Sequence, residues 1–207
     1  MRYADGPTVE VELYVDAPPA RVWPLVSDIN LPAQFSAEFQ GATWLDEATE
    51  PVAGARFRGR NRDPAIGEWE TTSTIVACDR ELRFAWAVEN PDHPSASWRF
   101  ELEPDGTGTR LRQWAELGPG PSGLTAAIAA RPDKEERIIA RRVDAHRANM
   151  LATLEGIKAL AEAENPGSVA RASRQTRRQG DETQNPGSVA GASRQTRRQG
   201  DKTEEIG

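Results

Sequence analysis

Six tryptophans, two histidines and one cysteine are the side chains from which this 207-residue chain could build a reactive site. His146 lies in an apolar helical stripe. Ile139, Val143, His146, Met150, Leu154 and Ile157 fall within about 80° of one another at 3.6 residues per turn. An imidazole buried there needs a partner for its N–H. The residues leave two roles open: a core histidine bonded to a sheet side chain such as Gln113, or a proton donor or acceptor for a ligand carbonyl. His146 is thus the one catalytic candidate, and no catalytic residue is assigned. His93, in the turn Asn90 to Pro94, is expected to be exposed. With two His and one Cys there is no cluster at metal-ligand spacing. No glycine-rich phosphate loop follows a strand, and no Ser/His/Asp arrangement is visible. Neither a metal nor a cofactor is expected.

The elements that must position these groups follow from periodicity. Thr8 to Val15 alternates apolar and polar residues, the mark of a half-buried strand. Asp16 offers a helix N-cap and Pro18-Pro19 suit a first turn, so a short helix follows through Val22, Trp23 and Val26, with Pro24 expected to kink or split it. A second short helix is expected over Pro32 to Glu38. The period then stays at two, giving strands near Phe39–Asp46, Gly54–Arg62, Gly67–Cys78, Leu82–Glu89, Ser95–Glu103 and Thr109–Leu117, separated by turn residues and paired as an antiparallel meander. A five-residue loop from Asp63 to Gly67 sets Arg62 against Glu68 and Arg60 against Glu70 on one face. On the other face it sets Asn61 against Trp69, Gly59 against Thr71 and Phe57 against Ser73. The run Arg56, Arg58, Arg60, Arg62 therefore reads as a solvated outer face and not as a nucleic-acid stripe. Gly118 to Arg131 reads as a loop plus a short helix. From about Asp133 to Ala163 the period is helical, some 42 Å of helix.

Composition divides the chain. All six Trp lie before Glu164, whereas from Asn165 to Gly207 the large apolar residues are Val169, Val189 and Ile206. A domain over 1–164 and a disordered tail over 165–207 are expected. The tail contains a tandem repeat: Asn165–Gln184 and Asn185–Glu204 agree at 17 of 20 positions. The tail carries a charge of +3 and the domain −9. An acidic domain argues against a nucleic-acid partner. No stretch has the roughly 18 apolar residues of a membrane span. One cysteine and a start without the apolar run of a signal peptide make the cytoplasm the expected compartment.

The local sequence resembles a known family. Val15-Asp16-Ala17-Pro18 with Arg21-Val22-Trp23 and Ser27-Asp28 is similar to the opening of the polyketide cyclase/dehydratase and lipid-transport family of the START-like (SRPBCC) superfamily. So are Gly54 to Asn61 leading to Trp69, and Trp98-Arg99-Phe100-Glu101-Leu102 before Gly108-Thr109-Arg110-Leu111. The resemblance covers about Thr8 to Ala163. It implies an α+β helix-grip fold, a seven-stranded curved antiparallel sheet around a long C-terminal helix, with two short helices after the first strand. It also implies a cavity between sheet and helix. Strand alternation and the helical stripe then nominate Phe57, Asn61, Trp69, Thr71, Ser73, Trp86, Trp98, Gln113, His146 and Met150 as ligand-binding residues. Several aromatics with few polar groups suit a hydrophobic or aromatic, lipid- or polyketide-like molecule. The fold alone does not decide function. A carrier or sensor, a cyclase/dehydratase-type enzyme with His146 moving a proton, and a protein-interaction module using the outer face or the tail all remain open, as does the oligomeric state.

Overall fold

The computed structural model describes residues 1–64 and 66–163. The expected disordered tail and its repeat, 165–207, lie outside the described residues.

Seven antiparallel strands form one sheet: β1 (Thr8–Val15), β2 (Phe39–Trp44), β3 (Arg56–Asp63), β4 (Gly67–Asp79), β5 (Arg83–Val88), β6 (Ala96–Asp105) and β7 (Gly108–Leu117). Their spatial order is β1-β7-β6-β5-β4-β3-β2. Strands β2 to β7 thus pair in chain order through short turns, and β1 closes the far edge on β7. Register between β3 and β4 is the one that charge and apolar matching demand: Arg62 opposite Glu68, Arg60 opposite Glu70, Asn61 opposite Trp69, Phe57 opposite Ser73. One face of the sheet holds Val9, Val11, Phe57, Ile75, Phe84, Phe100, Leu111 and Ala115, all buried, while Arg56, Arg58 and Arg60 on the other face are exposed.

Three helices complete the fold: α1 (Pro19–Val26), α2 (Gly123–Ala130) and the 29-residue α3 (Glu135–Ala163). The buried residues of α3 include Ile139, Val143, His146, Met150, Leu154 and Ile157, the stripe that its periodicity sets out. α3 packs chiefly on β1, with lesser contacts to β7, α1 and α2. It leaves the concave face over β3 to β6 less covered.

Local expectations need correction at three places. Asp16 does not cap α1. The N-cap is Pro18, and the Asp16 N–H instead donates to Glu162 Oε1 of α3 at 2.7 Å. Pro24 does not split α1, which runs on to Val26 and closes with the Ser27 N–H on the Trp23 carbonyl. In so short a helix the missing proline N–H removes a single bond. The second short helix is a 3-10 turn, Leu31–Gln34, ended by Phe35, and the chain from Ser36 to Glu38 is not helical. Its backbone is held from outside, because Ala37 N–H donates to Asn149 Oδ1 of α3 at 2.9 Å.

Candidate functional site

The concave face is floored by aromatic rings carried on successive strands. Trp86 and Trp98 stand opposite each other on β5 and β6, with planes 4° apart and centroids 6.0 Å apart. Phe84 and Phe100, the next inward pair on the same strands, lean on Trp86 at 5.6 and 6.0 Å. Phe57 of β3 meets Trp86 edge-on at 6.3 Å across β4, and Trp44 of β2 meets Phe57 at 6.1 Å. Such offset and edge contacts are preferred ring geometries. α3 closes the series: the His146 ring stands edge-on to Trp98, centroids 4.8 Å apart.

Burial separates the predicted residues into two sets. Phe57, Ser73, Gln113, His146 and Met150 are buried. Of these, Phe57 and Met150 belong to the apolar core cluster and have a structural task whatever else they do. Asn61, Trp69, Thr71, Trp86 and Trp98 are half-buried, although register puts them on the face that carries the core. That face is therefore open in part, from the β3–β4 end inward to Trp98. His93 is exposed in its turn.

The polar groups of this face are unusual. His146 and Gln113 are each 5% exposed. The expected bond between them is absent: the His146 ring makes no hydrogen bond among the described residues, and Gln113 Oε1 is sealed without a partner. Two other sealed nitrogens lack a bond, Arg21 Nη1 and Arg99 Nε. Arg21 is on α1. Arg99 points to the convex side, where its guanidinium lies over Trp114 at 4.6 Å. The ring nitrogens of His146 and the indole N–H groups of Trp86 and Trp98 also lack partners but are not sealed, so they border open space. Burial, aided by the cation of Arg142 one turn earlier on α3, pushes the His146 pKa down to about 3. The imidazole is neutral, one nitrogen a donor and the other an acceptor.

The rim was not foreseen from the sequence. Arg142 donates two hydrogen bonds to the Glu38 carboxylate, at 2.6 and 2.7 Å, and lies over the Trp69 ring at 6.0 Å. The partners are 104 residues apart in sequence. The available signal was Arg142 itself, a charge beside the apolar stripe and one turn from His146. Phe35, just before this segment, packs so closely on α3 that a Cβ on Gly156 would lie 2.5 Å from its ring.

A depression of about 380 Å³ opens on the opposite, convex side, among Asp79, Arg83, Glu101, Arg110 and Arg112. Its charges pair with one another and with neighbours: Arg83 with Asp79, and Arg110 and Arg112 with Glu12. It is a solvated ion-pair surface, unsuited to an apolar ligand. Among the described residues no group of three or more His, Cys, Asp or Glu could hold a metal ion, and no helix is long and apolar enough to cross a membrane.

Comparison with known proteins follows the same lines. The family described as "Polyketide cyclase / dehydrase and lipid transport" matches residues 7–162. No curated protein matches. The Polyketide_cyc-like protein Cgl2372 of Corynebacterium glutamicum is similar at 31% identity, over 76% of this chain and 92% of its own, with a TM-score of 0.55. TTHA0849 of Thermus thermophilus (21% identity, 76% and 98% covered, TM-score 0.51) shares the fold. So does MLL2253 of Mesorhizobium loti (17%, 77% and 99%, 0.51).

Proposed function

This chain belongs to the polyketide cyclase / dehydrase and lipid transport family, and from that premise we propose that it binds a hydrophobic or aromatic small molecule on the concave face, between the sheet and α3. Family membership supports a hydrophobic ligand-binding fold. The observation that carries the proposal is the half-exposure of Trp69, Trp86 and Trp98 on the same sheet face as the core. Large rings are normally buried when a fold can bury them. A groove lined by three incompletely covered indoles, with few polar groups, has the composition of a small-molecule site. In this reading Phe57, Trp86 and Trp98 form the floor, Asn61, Trp69 and Thr71 line the approach, and Gln113 and His146 supply the polar contacts. Ser73 and Met150 shape the walls.

A binding role is favoured over proton transfer. An efficient acid or base has a pKa near the working pH. With its pKa near 3, His146 is a weak base and holds no extra proton to donate at neutral pH. Cys78 is the one cysteine of the chain, and the proposal sets the protein in a reducing, cytoplasmic compartment.

Titration with Nile red, a neutral apolar dye, tests the proposal. Its emission should rise and shift to the blue on binding, and Trp86→Ala or Trp98→Ala should weaken the affinity roughly tenfold or more, as loss of an aromatic anchor does. Native mass spectrometry of protein taken from cells should show a bound mass that organic extraction removes. Unchanged dye emission together with an unadorned mass would overturn the proposal.

A further inference from the structure

We propose that the ligand is an uncharged, planar molecule bearing a hydroxyl or N–H donor, received by Gln113 Oε1 with the His146 imidazole as its second polar partner. The inference rests on the concave-face reading and narrows it to a ligand class.

Gln113 is the starting point. Its side chain is 95% buried, since 5% is exposed, and its Oε1 touches neither solvent nor a donor. A sealed carbonyl oxygen without a donor is costly, and native folds rarely leave one. Its strand faces the aromatic floor: Phe100 is opposite Gln113 and Trp98 is opposite Ala115, so Gln113 is a diagonal neighbour of Trp98. His146 touches that same Trp98 from the helix side. Two buried, unpartnered polar groups, from β7 and from α3, thus flank one indole face.

Their chemistry specifies the ligand. An amide oxygen accepts, so the ligand must donate. A neutral imidazole offers one donor and one acceptor, so it can pair with the same hydroxyl or with a second oxygen. The flat surface between Trp86 and Trp98, planes 4° apart, suits a ring system stacked or wedged at its edge.

Charge is excluded by what lines the face. The inward residues of β5 to β7 near the site are Phe84, Trp86, Trp98, Phe100, Gln113 and Ala115, none of them ionisable. The nearest cation, Arg142, is held by Glu38 through both of its hydrogen bonds. A ligand carboxylate would lose its water without gaining a free counter-charge.

Three probes of one ring size separate the possibilities: naphthalene, naphthol and naphthoate, measured at neutral pH by equilibrium dialysis against the full chain. Naphthol should bind about tenfold tighter than naphthalene, the scale of one hydrogen bond to a buried, otherwise unpaired group, and naphthoate should bind weakest. Gln113→Leu should bring naphthol down to the level of naphthalene and leave naphthalene unchanged or tighter. If naphthoate matches naphthol, or if Gln113→Leu keeps the preference for naphthol, the inference is overturned while the concave-face reading stands. If the wild-type chain shows no preference among the three, the inference fails without the variant. If none of the three binds, the reading itself fails, and the inference with it.

Discussion

His146 shows how burial sets a residue's chemistry. Its ring sits among apolar neighbours with an edge on Trp98, and the Arg142 cation adds to the cost of a second positive charge. The other inward groups of β6 and β7 near it, Trp98, Phe100, Gln113 and Ala115, do not titrate, and the Glu38 carboxylate is committed to Arg142. The folded state therefore resists protonating His146 down to about pH 3, while the unfolded chain takes up that proton near pH 6.5. Between those values the unfolded state binds more protons, so stability must fall as pH falls through this window, by at most about 1.4 kcal/mol per pH unit. Above pH 6.5 the effect vanishes. Thermal melts of the wild type and of His146→Leu from pH 7 to pH 4 check this. The wild type should lose stability relative to the variant as acid is added, and parallel profiles would refute the account. The sequence placed His146 on the buried stripe correctly, because helical periodicity reports burial. It did not show that the imidazole lacks a bond, because the spacing of Gln113 and His146 depends on how far α3 stands off β7, a tertiary distance.

Between elements, the segment from Phe35 to Glu38 is tied to α3 at three points: Phe35 on Gly156, Ala37 on Asn149, and Glu38 on Arg142. Gly156 is the sharpest test. An exposed helical Gly→Ala change gains about 1 kcal/mol in helix propensity, but here the new methyl would enter the Phe35 ring space. Overpacking of this kind costs about 1–3 kcal/mol. Gly156→Ala should therefore lower the melting temperature, and Phe35→Ala should make the same change neutral or stabilising. The ion pair offers a second test. Glu38 and Arg142 side chains are 14% and 23% exposed, so Glu38→Gln should cost about 1–2 kcal/mol, the range for hydrogen bonds to a charged partner. A double-mutant cycle with Arg142→Gln would assign that loss to the pair, and additive effects would contradict it. Strand alternation read β3 and β4 to the residue, since paired charges and paired apolar groups agree there on one register. It failed where a bulge intervenes. The shift between Phe39 and Gly41 turns Trp44 inward onto Phe57, and the shift between Ile75 and Ala77 leaves Val76 52% exposed. A period-two count carries no mark of an inserted residue, so Trp44 was absent from the predicted inward residues.

Taken whole, the described molecule separates its charges from its rings. The convex face carries Arg110 and Arg112 with Glu10, Glu12, Glu101 and Asp105, while the concave face carries the tryptophans. Hydrogen bonds from Arg112 and Arg110 lower the Glu12 pKa, but these groups are exposed and screened, and such pairs contribute little. The charged depression and the apolar groove therefore divide the tasks of solubility and binding. That division bears on the interaction-module alternative, which would place function on the outer face or beyond residue 164. The family match ends at residue 162 and α3 ends at Ala163. Every contact that supports the concave site is made before that point. A chain ending at Glu164 should then melt within about 2 °C of the full chain, since a loss of even 1 kcal/mol would move a domain of this size by about 2–4 °C. It should also bind Nile red with unchanged affinity. Differential scanning calorimetry and dye titration of the two chains decide the matter. A lower melting temperature or weaker dye binding in the shorter chain would show that residues 165–207 contribute to the folded unit or its site. An equal melt and equal binding would leave the concave face sufficient for the ligand, and confine any role of the repeated Arg174, Arg177 and Arg178 cluster to a separate partner.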